Sequence, residues 1–477
     1  MTTFFKKPFS TIFILIIFVE LLSFLSFLIL PLRPILFLIL GLVILIISFY
    51  RLEYGILVLL AELFVGSKGH FFNLTIGSFD FSFRMLLFFI ILFVWLVGLF
   101  QKKYSVSFFR SKFFTFYLLF FIILAWGVGA GFLHQNEKNL IFYDANAWLY
   151  FLLIFPIFDV IVNKEQIKNI FRVFFAAISW LAIRTFIIFF IFTHQIRAIV
   201  PDLYYWVRLR GIGEITLLDS FARVFFQSQI YSLIGFFVIL SLIVFTSGQL
   251  KNKFYFLFIP TIPLILGFSR SFWLAFAVTL AVFFVVLKIK KKFSYFKIIK
   301  ILTLIVLVFL FSLGFLWFSL KIPPQATIDL SSLFEKRMDL DEPAVSSRMS
   351  QLPYLLSANL ERPILGSGFG RTISYFSQDP RALERHPLGL YTTYAFEWGF
   401  LDIWLKIGLV GLAVFLVLLW QIFKNGWSNS NNNKPLIFGL LFGLIALVTT
   451  HITSPYLNHP LGIGYLLVCS VIFYLTF

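Results

Sequence analysis

Long apolar stretches alternate with short polar connections along almost the whole chain, and one long polar segment, Lys321 to Phe400, breaks the alternation. A run of ~20 apolar residues is what a helix needs to cross a bilayer core of ~30 Å. Such runs fall near 9–30, 32–50, 54–66, 84–100, 113–133, 143–162, 170–193, 224–246, 253–268, 271–288, 299–320, 402–423, 435–452 and 460–477. The run 54–66 is too short to span upright, and the closely spaced pair 253–268 and 271–288 is interrupted only by Ser269-Arg270-Ser271. The expectation is therefore an all-α polytopic membrane protein with about 12 to 14 transmembrane helices and one large outer loop. Four regions follow: N-terminal transmembrane helices over 1–193, a central transmembrane region with an arginine-bearing outer loop over 194–320, the large outer loop over 321–401, and C-terminal transmembrane helices over 402–477.

Composition agrees with that pattern. Over 477 residues the chain is 60% hydrophobic, 21% aromatic and 13% charged, with mean hydropathy +0.97, which excludes a soluble globular chain. The 69 Phe residues sit mostly in the lipid-length runs and read as lipid-facing and interhelical filler. The single Cys, Cys469, lies in an apolar run, so no intramolecular disulfide forms and thiolate chemistry is not expected.

A net charge of +18 raises the possibility of nucleic acid, but the placement of the basic residues argues against it. Lys6 and Lys7, Arg51, Lys102, Lys103, Arg110 and Lys112, Lys164, Lys168 and Arg172, Lys251 and Lys253, Lys288, Lys290, Lys291, Lys292, Lys297 and Lys300, and Lys424 and Lys434 occupy every second connection. That is the positive-inside pattern, which puts those connections and both termini in the cytoplasm. The first span lacks a small-residue cleavage site and reads as a retained helix. No internal repeat is evident.

The same topology sends two long connections, about 194–222 and 321–400, to the outer face. A site there has no access to cytoplasmic nucleoside triphosphates, and the sequence has no Gly-x-x-x-x-Gly-Lys-Ser/Thr loop to bind them. Any transfer reaction outside needs a pre-activated donor carried by the membrane. Arg184, Arg208, Arg210, Arg223, Arg270 and Arg348 all fall on that side, and a charge near the bilayer marks a site or a pair. Several guanidiniums together suit a phosphate or diphosphate, whose oxygens their planar forks match. The competing reading is snorkelling, or pairing of Arg184 with Glu62 or Glu20 across helices. In the large loop, Gly366 and Gly368 belong to a turn-rich stretch that would let backbone amides approach an anion, or that simply turns. His386 and Glu397 are the groups placed to take a proton from a hydroxyl. Equally, His386 is an ordinary solvated histidine, Glu397 pairs with Lys406 or a loop arginine, and Asp402 favours a helix N-terminus.

The order of these pieces resembles the bacterial O-antigen ligase and polysaccharide polymerase superfamily of integral membrane glycosyltransferases, over roughly 205–425. Arg210-x-x-Gly213 followed by Ser220-Phe221-Ala222-Arg223 is similar to the family's arginine-bearing outer loop, and Ser269-Arg270-Ser271-Phe272-Trp273-Leu274 to its Ser-Arg-x-x-Trp-Leu motif. Ser347-Arg348, then Pro363-Ile364-Leu365-Gly366-Ser367-Gly368-Phe369-Gly370, then Gly408-Leu409-Val410-Gly411-Leu412, follow the family's order. One departure stands out: about eleven positions before the final motif, where the family's ligases usually carry His-Asn, this chain has Glu397-Trp398.

The resemblance implies transfer of a glycan from a polyprenyl-diphosphate carrier to a glycan or lipid-linked acceptor, at the outer face of the bacterial cytoplasmic membrane and with no cofactor or metal. Arg223, Arg270 and Arg348 would hold the diphosphate with Arg210 in support, and Glu397 or His386 would act on the acceptor hydroxyl. The bilayer is a partner and nucleic acid is not. The alternative is a transporter or flippase of the same lipid-linked oligosaccharide, which should instead show two related halves and polar residues at mid-membrane. A peptidoglycan-type polymerase would carry an Asp at a Trp-containing site of the large loop, and that site is not found.

Overall fold

The computed structural model describes residues 7–77, 79–218, 221–246, 253–289, 294–321, 343–377, 383–384, 386, 388–430 and 435–475. Lys6, Ser220, Lys251, Lys290, Lys291, Lys292, Lys434 and residues 322–342 of the large loop lie outside them. The helices are α1 (Lys7–Leu28), α2 (Leu32–Tyr50), α3 (Leu52–Val65), α4 (Phe83–Phe100), α5 (Phe114–Leu133), α6 (Lys138–Ala145), α7 (Ile154–Val160), α8 (Lys164–Thr193) and α9 (Val200–Leu209). They continue with α10 (Ile230–Phe245), α11 (Lys253–Leu266), α12 (Arg270–Ile289), α13 (Tyr295–Ser319), α14 (Pro343–Glu361), α15 (Gly399–Asn429), α16 (Pro435–Thr453) and α17 (Pro460–Tyr474). Three antiparallel hairpins interrupt them: β1 (Asn73–Ile76) with β2 (Phe79–Ser82), β3 (Gly213–Leu218) with β4 (Phe221–Phe226), and β5 (Ile373–Phe376) with β6 (Leu390–Thr393).

Among the described residues, eleven helical segments are long and apolar enough to cross a membrane, and Phe254–Leu266 and Pro460–Tyr474 are shorter apolar helices. The chain is an all-α polytopic membrane protein, and every predicted apolar run carries helix. The run 143–162 is not one regular helix: α6 passes through a 3-10 stretch, Asn146–Leu153, into α7, which contains Pro156. A proline has no N–H to give and its ring collides with the preceding turn, so regular α winding is interrupted there. The short run near 54–66 is α3, a 14-residue helix buried along most of its length and shielded from lipid by its neighbours.

Hydrogen bonds sort the connections into two groups. At the end carrying the large loop, Lys68 N donates to Gly211 O at 3.3 Å, Arg223 Nε to Gly267 O at 3.0 Å and Asn458 Nδ2 to Asp402 Oδ2 at 2.7 Å. At the opposite end, Asn169 Nδ2 donates to Glu53 Oε1 at 3.0 Å, Ser107 N to Asp159 Oδ1 at 2.6 Å and Ser241 Oγ to Pro435 O at 2.8 Å. Each of these bonds joins connections or helix ends that strict alternation puts on one side.

Burial ranks the helices by position. The span containing α10 is 89% buried and forms the centre, whereas α1, α2 and α13 are only 17%, 22% and 22% buried and present apolar faces such as Leu38 and Leu310 outward. In water those faces would be unstable; against acyl chains they are solvated.

Candidate functional site

The glycine-rich stretch and the glycine motif of α15, far apart in sequence, form one unit. Gly408 interrupts α15 with φ 73° and ψ 179°, a conformation that only glycine adopts readily. The interruption frees the carbonyls of Leu405 and Lys406, which accept Ser367 N at 2.7 Å and Gly368 N at 3.0 Å. In return, Leu409 N donates to Pro363 O at 2.9 Å and Val410 N to Ile364 O at 3.2 Å. Gly366, Gly368 and Gly370 all have positive φ, and a Cβ on Gly366 would stand 2.7 Å from Lys406 O. The Gly366 amide donates to Arg362 O at 3.1 Å. Because these amides are committed to carbonyls, the expected approach of Gly366 and Gly368 to an anion gives way to close backbone packing. His134 Nδ1 and Asn136 Nδ2 lie 3.0 and 3.1 Å from Ser367 O and seat the stretch on the end of α5. Alanine at Gly408 is expected to destabilise the protein by about 2 kcal/mol or more, from the left-handed backbone and overlap with Ile364. Thermal unfolding in detergent, followed by size-exclusion fluorescence, checks this.

Beneath this unit lies a buried ion network that the sequence reading missed. Lys406 Nζ stands 2.5 Å from Asp144 Oδ1 and 2.7 Å from Asp402 Oδ1, with side-chain exposures of 3%, 7% and 2%. Asp144 Oδ2 also accepts Gly370 N at 2.9 Å. The network ties the start of α15 to α6, to the glycine-rich stretch and, through Asn458, to the α16–α17 connection. Asp402 is thus an ion-pair partner as well as a charge near a helix start, and Lys406 serves it rather than Glu397. An acidic residue inside an apolar run was the available signal for Asp144.

The arginines separate by partner. Arg184 takes Glu20, with Nη1 to Oε1 at 2.8 Å, and Trp180 Nε1 donates to the same carboxylate at 2.7 Å. Glu62 is taken instead by Arg84, at 2.8 and 3.1 Å. Arg208 lies 3.5 Å from Glu214. Arg223 sits on β4 opposite Thr216 and reaches the carbonyl of Gly267, in the connection that leads into Arg270. Arg348, on α14, pairs with Glu397, while Trp398 Nε1 donates to Arg348 O at 3.1 Å.

Packing joins the Arg270 and Glu397 regions. Ser271 Oγ lies 3.1 Å from Ser454 Oγ and accepts from Thr453 Oγ1 at 2.9 Å, at the end of α16. His451, one turn back, packs against Phe400 with ring centroids 4.7 Å apart and closes on Gly399. Contacts therefore lead from Arg223 and Arg270, across the end of α16, to Glu397 and Arg348. His386 is exposed, with its ring 5.8 Å from that of Tyr391, beside the β5–β6 hairpin. Arg210 sits on different elements, fully buried, with Nη1 on Asn73 Oδ1 of β1. In the α16–α17 connection, His459 Nδ1 accepts Leu461 N at 3.3 Å as the cap of α17. Burial, then the charges of Arg84 and Lys68, hold its pKa well below the usual histidine value, so the accepting nitrogen keeps its lone pair.

This is a multi-pass membrane protein with a polar, arginine-bearing candidate site at one end of its helices. Residues 254–416, which include Arg270, Arg348, Gly366, Gly368, Glu397, Lys406 and Gly408, match the family model described as O-antigen ligase. No curated protein matches the chain. The family supports a membrane enzyme of the ligase or polymerase kind, one that transfers glycans.

Proposed function

We propose that the chain transfers a glycan from a polyprenyl-diphosphate carrier to an acceptor sugar hydroxyl, at the end of the helices that bears the large loop and on the outer face of the bacterial cytoplasmic membrane. The observation that carries this reading is the pairing of Arg348 with Glu397 at the start of α15, inside the matched region and packed through α16 against the Arg270 segment. The outward direction rests on the basic connections at the opposite end, such as Lys102, Lys103, Lys164 and Lys168.

In the resting protein Arg348 occupies Glu397. A diphosphate carries more negative charge than a carboxylate and matches a guanidinium fork equally well, so the arriving donor competes for Arg348. Arg270 and Arg223 add fixed positive charge where the leaving group develops its own, without a metal. Glu397, released from its partner, accepts the proton of the acceptor hydroxyl. The acceptor oxygen then forms a bond to the anomeric carbon as the bond from that carbon to the diphosphate oxygen breaks, and the electron pair leaves on the diphosphate. His386 is the other expected base; the adjacency of Glu397 to an arginine favours Glu397.

The test is reconstitution of the purified protein in vesicles with a polyprenyl-diphosphate oligosaccharide, without ATP or added metal, followed by mass analysis. Longer glycans identify a polymerase, and transfer only to an added acceptor identifies a ligase. Movement of an unaltered donor across the bilayer overturns the proposal in favour of a flippase.

A further inference from the structure

Arg210 is a buried charge with spare donors. Its side chain is 1% exposed, Nη1 is engaged by Asn73 Oδ1, and among the described residues Nε and Nη2 are buried without a hydrogen-bond partner. Arg33, in the first turn of α2, likewise has a buried Nε without a described partner. Lys68 reaches the same corner: its amide bonds Gly211 O at 3.3 Å, and its side chain packs beside Gly211. The acidic group here, Asp80, is already shared by Asn73 Nδ2, by Thr75 Oγ1 at 3.0 Å and by His70 Nδ1 at 3.5 Å. Arg33, Lys68 and Arg210 against Asp80 leave an excess of positive charge. Buried groups of this kind are normally satisfied, and a guanidinium with two open N–H groups presents the fork that matches two phosphate oxygens.

The surroundings indicate where such an anion comes from. The corner lies at the α1–α2 turn, whose Leu28, Ile29 and Leu30 are 47%, 46% and 67% exposed, and the two helices are, with α13, the least buried of the long apolar helices among the described residues. A free anion would have to reach a site flanked by apolar surface. A lipid reaches it laterally, with its chains along α1 and α2 and its phosphate level with the turn, where basic side chains meet headgroups.

We propose that Arg210, Arg33 and Lys68, with Asn73 orienting Arg210, form a binding site for the phosphoryl group of a membrane lipid, on elements distinct from those carrying Arg270, Arg348 and Glu397. Burial and the nearby Arg33 lower the Arg210 pKa to about 10, which leaves it charged at neutral pH and able to hold the anion. The site is independent of the transferase reading, because occupancy is measured by binding alone.

The test is native mass spectrometry and thermal stabilisation of the delipidated, purified chain with four probes: phosphatidic acid, a polyprenyl phosphate, diacylglycerol and inorganic phosphate. Saturable binding of a phosphate-bearing lipid, no comparable effect of diacylglycerol, and at least tenfold weaker binding in Arg33→Gln and Arg210→Gln are expected. Asn73→Asp places a carboxylate on the Arg210 fork and should weaken binding similarly. It also keeps the test informative where Arg210→Gln fails to fold. Preference for the polyprenyl phosphate assigns the occupant to the carrier lipid, and preference for phosphatidic acid assigns it to bulk phospholipid; either supports the site. Binding unchanged in both Arg33→Gln and Asn73→Asp, or equally tight binding of inorganic phosphate, overturns it.

Discussion

Alanine at Arg348 is expected to lower glycan transfer by about 100- to 1,000-fold while leaving the protein folded, the scale seen when a preorganised donor to developing charge is removed. Both halves of that statement follow from the site. The Arg348 and Glu397 side chains are 30% and 50% exposed, and an ion pair so accessible contributes about 1 kcal/mol or less to stability. In the proposed reaction, however, Arg348 does two things: it draws the diphosphate, and it holds Glu397 in place until the donor arrives. Lysine at 348 keeps the charge and loses the fork, so it should recover only part of the rate. Gln at 397 removes the proton acceptor and keeps the shape; a loss of similar size is expected there, and the double variant should be little worse than either single one, because residues acting as a unit are non-additive. Transfer per folded molecule, normalised by size-exclusion profile, is the measurement. An Arg348→Ala protein as active as the wild type would remove the basis of the mechanism.

What the sequence disclosed and what it withheld divide along a physical line. Membrane helices are written locally, so each apolar run found its helix, although the winding breaks in 138–160, where Pro156 enters, and at Gly408 in α15, and the run 224–246 opens on β4. Pairings between distant residues are not written locally. Arg184 had two acidic residues within conceivable reach, and only the packing of α1 against α8 selects Glu20 and leaves Glu62 to Arg84. Gly366, Gly368 and Gly408 were visible as motifs, but their meeting, which turns loop glycines into backbone packing, depends on the tertiary approach of α14 to α15. Asp144 and Lys406 lie far apart in sequence, and no spacing rule connects them.

That network carries the largest effect expected on stability. Methionine at Lys406 keeps roughly the side-chain length and leaves Asp144 and Asp402 facing each other in a dry interior without their cation. Removing one partner of a buried pair costs about 3–5 kcal/mol, and here the remaining pair is also of like charge. The expected outcome is loss of monodisperse protein, or a large drop in unfolding temperature. Asn at Asp402 should be far milder, since one ammonium then faces one carboxylate and Asn458 still has a carbonyl to bond. Combining Lys406→Met with Asp144→Asn and Asp402→Asn should recover much of the stability, because no uncompensated charge stays buried. Transfer activity in that triple variant separates two roles. Activity returning with stability makes the network purely structural. Stability returning without activity means that the salt bridges also set the position of the first turns of α15, and with them Glu397, which precedes the helix by two residues.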